Sequence, residues 1–247
     1  MRIPRAALPS ALTLAGLFFG FCAIVRIVGG DVLGGLWLIV LSGVFDVADG
    51  AAARLVRATS RFGAELDSLA DIVCFGVAPS LLLYEVSLKA MGPAGLLLSS
   101  LPTLCGCFRL ARFNVQTGPD DKTGFVGLPI PPAAVVLCSF VVLCLDSTTG
   151  LGALGRAVLP WLVVLVCGLM VSRLRYPTVP RPSLEGIRKE PLKSTLMALG
   201  VVAVIAGGWR AIFPVMSCFA LAPLFRALTQ AARRLPALLW PARAAGR

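Results

Sequence analysis

Histidine is absent from this chain, tyrosine occurs only twice, and charged residues make up 14% of the sequence. Without histidine there is no Ser/His or Cys/His nucleophile pair and no imidazole metal ligand, so acid–base and metal chemistry fall to carboxylates. Aspartate and glutamate together number 12 in 247 residues, and any local concentration of them therefore carries weight. The scarcity of charge, with 57% hydrophobic residues and a mean hydropathy of +0.88, excludes a soluble domain of this size. The eight cysteines (Cys22, Cys74, Cys105, Cys107, Cys138, Cys144, Cys167 and Cys218) lie within or beside apolar runs. They read as small buried hydrophobes and not as a disulfide or zinc framework.

Apolar spans run over 8–28, 32–48, 69–88, 92–110, 128–146, 151–172, 194–209 and 211–228, several approaching the ~20 residues a bilayer crossing needs. The expected fold is all-α, a polytopic integral-membrane helix bundle. The formal charge of +11 would suggest a nucleic-acid partner in a soluble chain. Here the basic residues fall between apolar runs, where topology and anionic headgroups account for them, and no nucleic acid is expected. With the N-terminus inside, only Arg26, Lys89, Arg156 and Arg210 among the 23 lysines and arginines lie on the outer side. That bias predicts N-in, C-in topology, the C-terminal arginines requiring that 194–228 form a hairpin of two short helices. The expected division is a membrane core over 1–172, a basic proline-containing cytoplasmic linker over 173–193, the hairpin, and a basic cytoplasmic tail over 229–247. The first span is read as a retained helix and not a signal peptide. The run GLGALG at 150–155 fits GxGxxG but lacks a strand–turn–helix context, and reads as a loop. Gly16 and Gly20 form a GxxxG that suits close helix packing.

Five of the acidic residues, Asp46, Asp49, Glu65, Asp67 and Asp71, fall within one stretch. Asp46 and Asp49 are three apart and Asp67 and Asp71 four apart, so on helices each pair projects from one face, at the inner end of a predicted span. Such pairs repel unless a cation lies between them, and hard divalent cations prefer oxygen ligands, with bridging carboxylates suiting two-metal sites. Solvated helix-end charges, or ion-pair partners of Arg54, Arg57 and Arg61, are the competing reading. A transporter, whose intramembrane carboxylates carry ions, is another, although these aspartates sit at one boundary and not mid-span.

The stretch DVADGAAARLVRATSRFGAELDSLAD at 46–71 resembles, without exception, the DxxDGxxAR(x8)GxxxDxxxD signature of the CDP-alcohol phosphatidyltransferase family. The resemblance implies a divalent metal centre, Mg²⁺ or Mn²⁺ and two ions, held by Asp46, Asp49, Asp67 and Asp71, with Asp71 also the general base. It implies a CDP-linked lipid donor beside Gly50, Ala53, Arg54 and Gly63. Glycine and alanine keep that face thin, and arginine offers a planar fork to a diphosphate. Many relatives carry asparagine where LPSALT has Ser10, and Ser10 and Thr13 are the candidates near the nucleotide in this chain.

RLARFNV at 109–115, GFVGLPIPPAA at 124–134 and DSLADIVCFGVAPS at 67–80 are similar to the branch of that family comprising phosphatidylserine synthases. The resemblance covers about residues 1–175. Two arginines, Arg109 and Arg112, suit a carboxylate, and Asn114 suits a polar small molecule, although interfacial anchoring and helix capping explain them equally well. The branch implies CDP-diacylglycerol and L-serine as substrates, an active site at the cytoplasmic face of a prokaryotic cell membrane, and a homodimer. Another acceptor, glycerol 3-phosphate or inositol phosphate, or an archaeal-type lipid donor, would use the same chemistry.

Overall fold

The structure is a computed structural model that describes residues 7–56, 60–116, 125–146, 150–176, 200 and 205–239. Helix α1 (Ala7–Val28) ends at Gly29–Gly30, where Gly30 takes a positive φ of 86° and the chain reverses. Asp31 then starts α2 (Val32–Val56), its carboxylate accepting from Gly34 N at 2.9 Å and from Arg26 Nη1 at 3.0 Å. Ser60 caps α3 (Arg61–Asp71), its Oγ accepting from Gly63 N at 3.0 Å.

The next turn, Ile72–Val77, is π-helical, and α4 (Ala78–Val86) completes one continuous helix from Arg61 to Val86. Pro79 explains the widening, because it has no N–H for the carbonyl four residues back and its ring crowds that carbonyl. The N–H of Ala78 accordingly reaches five residues back, to Val73 O.

A short 3₁₀ turn (Leu88–Met91) leads into α5 (Pro93–Gln116). Strand β1 (Phe125–Val126) precedes α6 (Ile130–Cys144). Strands β2 (Leu145–Asp146) and β3 (Gly150–Leu151) pair antiparallel and lead into α7 (Ala153–Val171). Strand β4 (Arg175–Tyr176) pairs antiparallel with β1, and α8 spans Trp209–Leu239. The GLGALG run is therefore the tight entry into α7, with Gly150 at a φ of 76°.

Among the described residues, six helices are long and apolar enough to cross a membrane: α1, α2, the Arg61–Val86 helix, α5, α7 and α8. Helix α6 is a shorter apolar helix of 15 residues. The chain is thus an all-α multi-pass membrane protein. Most of the predicted span 194–209 lies outside the described residues.

Two expectations need correction. The spans 32–48 and 69–88 mark apolar runs, but the helices extend to Val56 and begin at Arg61. Hydropathy measures the stretch bathed in lipid, whereas helix length follows backbone hydrogen bonding, which polar residues continue equally well. The four aspartates consequently sit one to three turns inside their helices and not at the helix ends.

Small residues let α1 lie close to its neighbours. A Cβ on Gly16 would come within 3.2 Å of Phe45 Cβ, and one on Gly20 within 2.5 Å of Cys74 Sγ. Ser42 Oγ donates to Gly16 O at 3.0 Å, fixing α2 against α1 at that level. The core runs through α4, α6 and α7, with Leu82, Leu83, Leu137, Leu159 and Val163 fully buried. Helix α8 packs on α6, where the Phe140 and Phe213 rings lie 5.2 Å apart. Tyr176 is buried and donates from its hydroxyl to Ala220 O at 2.8 Å, tying β4 to α8. Gly20→Ala should destabilise the fold by about 1–3 kcal/mol through overpacking. Cys74→Ala should recover part of that loss in the double variant, and thermal denaturation in detergent measures both.

Candidate functional site

Helices α1, α2 and α3 converge at the end of the bundle where α2 finishes and α3 starts. Asp46 and Asp49 project from α2, and Asp67 and Asp71 from α3. Carboxylate oxygens of Asp46, Asp49 and Asp67 all lie within 4.8 Å of one another, and Asp46 is within hydrogen-bond reach of both Asp67 and Asp71. The four aspartates line one small pocket together with Thr13, Gly16, Leu17, Ser42, Ala70, Cys74 and Phe75. Carboxylates this close need a proton or a cation between them.

The fit to a cation can be judged from the oxygens. Asp49 Oδ2 and Asp67 Oδ1 are buried and have no hydrogen-bond partner. An orphaned buried carboxylate oxygen is costly, and two aimed at one cluster form an all-oxygen donor set of the kind a hard divalent cation takes. The residues present fit such an ion.

The donor-side candidates surround this cluster. Thr13 is buried in α1, donates to Pro9 O at 3.1 Å and lies beside the Asp49 carboxylate. Ser10 is half-buried one turn earlier on the same helix. Gly50 continues the face of Asp46 by one turn and borders open space, since a Cβ there would meet only Arg54 Nη1, at 3.4 Å. Ala53 is half-buried and Arg54 exposed at the next turn of α2. Gly63 occupies the capped first turn of α3, where a Cβ would lie 3.1 Å from Ser60 Oγ. Arg57 lies outside the described residues.

The three residues of RLARFNV separate. Arg109 is buried at 4% exposure, lies with its guanidinium 5.5 Å from the Phe113 ring and faces the charge of Asp71. Asn114 Nδ2 donates to Ser68 Oγ at 3.3 Å and Glu65 Oε2 at 3.5 Å, joining α5 to α3. Arg112 points elsewhere, donating to the carbonyls of Val171, Val126 and Ser172 at 3.0, 2.9 and 3.3 Å.

Sequence reasoning did not place Ser42, Ala70, Cys74 or Phe75 at the site. The available signal was helical periodicity: Ser42 stands four residues before Asp46, and Cys74 three after Asp71.

A bundle of membrane-crossing helices with a cation-seeking carboxylate cluster near one end defines a class of membrane protein with polar chemistry at a bilayer boundary. The family model for CDP-alcohol phosphatidyltransferase matches residues 6–171, and the chain belongs to that family. It is 40% identical over 179 residues to a CDP-diacylglycerol–serine O-phosphatidyltransferase of Helicobacter pylori (strain J99), covering 70% of this chain and 73% of the relative. The corresponding enzyme of Bacillus subtilis is 34% identical over 181 residues, 73% of this chain and 95% of the relative. An archaetidylserine synthase of Methanothermobacter thermautotrophicus is 35% identical over 175 residues, 70% of each chain.

The cluster predicts opposite responses to one substitution. In metal-free protein, Asp67→Asn should relieve repulsion among the carboxylates and raise the thermal midpoint, by about 2–4 °C for each kcal/mol relieved. Saturating Mg²⁺ should raise the wild-type midpoint further by binding linkage, and that of the variant far less. Differential scanning fluorimetry with and without Mg²⁺ reads both.

Proposed function

We propose that the protein transfers the phosphatidyl group of CDP-diacylglycerol to L-serine, giving phosphatidylserine and CMP. The single observation that carries this is the convergence of the four signature aspartates on one pocket with Arg109 facing Asp71. The printed names of the relatives supply the substrates: those from Helicobacter pylori and Bacillus subtilis are serine phosphatidyltransferases, and the archaeal one makes archaetidylserine. Serine is common to these names while the lipid differs, so the acceptor is the better supported half of the reading.

In this reading Asp46, Asp49 and Asp67, with Asp71, would hold the divalent cations, Mg²⁺ or Mn²⁺. Bound there, the ions would neutralise the diphosphate of the donor and the charge developing on departing CMP. Gly50 and Ala53 leave room for the nucleotide, with Arg54 at the diphosphate and Thr13, Ser10 and Gly63 bordering the same cleft. Asp71 accepts the proton of the serine hydroxyl as its oxygen bonds to the β-phosphorus and the bond from that phosphorus to the CMP oxygen breaks. Arg109 receives the serine carboxylate and balances Asp71, while Asn114 holds α5 on α3 at the acceptor's entrance. The lipid enters from the side and serine from the cytoplasm. This places the site at the cytoplasmic face, with N-in, C-in topology and a homodimer as further parts of the proposal.

Purified protein should convert CDP-diacylglycerol and labelled serine to phosphatidylserine, lose activity in EDTA and regain it with Mg²⁺ or Mn²⁺. Transfer to glycerol 3-phosphate or inositol phosphate in preference to serine would overturn the acceptor assignment. Preference for an ether-linked isoprenoid donor would overturn the lipid. Asp71→Asn should lower kcat by about 10²-fold or more while donor affinity at saturating metal is largely kept, because it removes a proton acceptor. Asp46→Asn should instead weaken donor and metal binding. Equal loss of donor binding in both variants, with rescue by excess metal, would make Asp71 a ligand only.

A further inference from the structure

We propose that Arg112 is a positioning residue: it sets the acceptor side of the site by latching α5 to the segments that close this end of the bundle. It does not bind the acceptor itself. The inference deepens the function proposed above and rests on it.

Three hydrogen bonds commit the guanidinium. Nη1 donates to Val171 O, and Nη2 donates to Val126 O and Ser172 O. Val171 and Ser172 end α7, where the last carbonyls of a helix have no intrahelical partner and carry its negative dipole end. Val126 belongs to β1. One planar fork therefore joins α5, α7 and the β1–α6 connection, geometry that arginine provides and lysine does not.

The backbone is shaped around this fork. Gly127 has a φ of 80°, its N–H reaches Leu174 O at 2.8 Å, and the Leu128 N–H reaches Leu169 O at 3.1 Å. A Cβ on Gly127 would overlap Met170 O and come within 2.8 Å of Arg112 Nη2. The glycine clears the space that the latch occupies. One turn before Arg112 on α5 stands Arg109, facing Asp71, and two residues after it Asn114, bound to α3. If the latch is lost, the last turns of α5 shift relative to Asp71, the groups that receive the acceptor move out of position, and acceptor binding weakens while the donor side on α1, α2 and α3 keeps its geometry.

The test is steady-state kinetics of the full chain in detergent for wild type, Arg112→Ala, Gly127→Ala and the double variant. The readouts are acceptor KM, donor KM and kcat, with the acceptor first identified from a panel using the wild type. Each single variant should raise acceptor KM about tenfold and leave donor KM within about twofold, and the double variant should be no worse than the poorer single, because both remove one latch. Multiplying effects, or a wild-type acceptor KM in Gly127→Ala, would overturn the proposal. So would a uniform loss of kcat, donor and acceptor affinity together with thermal stability, which is what a merely structural role produces. Should Gly127→Ala fail to fold, Arg112→Lys decides. A direct charge contact with a carboxylate survives in lysine, so a wild-type acceptor KM there overturns the latch, whereas a match to Arg112→Ala supports it. A wrong serine assignment would show already in the wild-type panel, and a wrong latch only in the comparison of variants.

Discussion

Four carboxylates compressed into one pocket at the edge of a low-dielectric medium are the constraint on which the rest of the structure depends. Two unit charges about 4 Å apart repel by roughly 4 kcal/mol at an effective dielectric near 20. A loosely packed bundle would relieve that by splaying. This one resists because α1 is wedged against both carboxylate-bearing helices: Gly16 admits Phe45, Gly20 admits Cys74, and the Ser42 hydroxyl fixes the level of α2 on α1. Rigid convergence of this kind is also what cation binding exploits, because the ligands are ordered before the ion arrives.

The helices divide the work around that pocket. The donor-side candidates, from Ser10 and Thr13 to Gly50, Arg54 and Gly63, all stand on α1, α2 and α3. The acceptor-side candidates stand on α5 alone, and α5 is held from two directions, by Asn114 on α3 and by Arg112 on α7 and β1. The family model ends at residue 171, the last residue of α7. Beyond it, Tyr176 ties β4 to α8, so the C-terminal helix is connected to the same closing segments that Arg112 grips.

The aspartates were legible because a run of charges in an apolar chain has few explanations, and helical spacing alone puts each pair on one face. Membrane character and most helix centres followed from hydropathy for similar reasons. Helix ends did not, since Gly50 to Val56 and Arg61 to Leu66 are polar or mixed, yet continue the backbone hydrogen bonding of their neighbours. The different orientations of Arg109 and Arg112 were also hidden. Both are arginines in one motif, and what separates them is a set of carbonyls some 60 residues away in the chain, at the end of α7. Ser42 and Cys74 were visible only as a small polar residue and a small apolar one until α1 was placed against them.

The widened turn at Ile72–Val77 turns the Arg61–Val86 helix into two screws in series. Each α-helical residue advances the rotation by about 100°, so the residue that the π-turn accommodates offsets the phase of everything beyond it. The N-terminal half is clocked to the pocket by Asp67 and Asp71. The C-terminal half is clocked to α5 by the Ser80–Thr103 hydroxyl pair, 2.9 Å apart, and to the core by Leu82 and Leu83. The two halves therefore meet different neighbours at different phases of one helix. A one-residue insertion or deletion between Asp71 and Ser80 would set the two screws against each other.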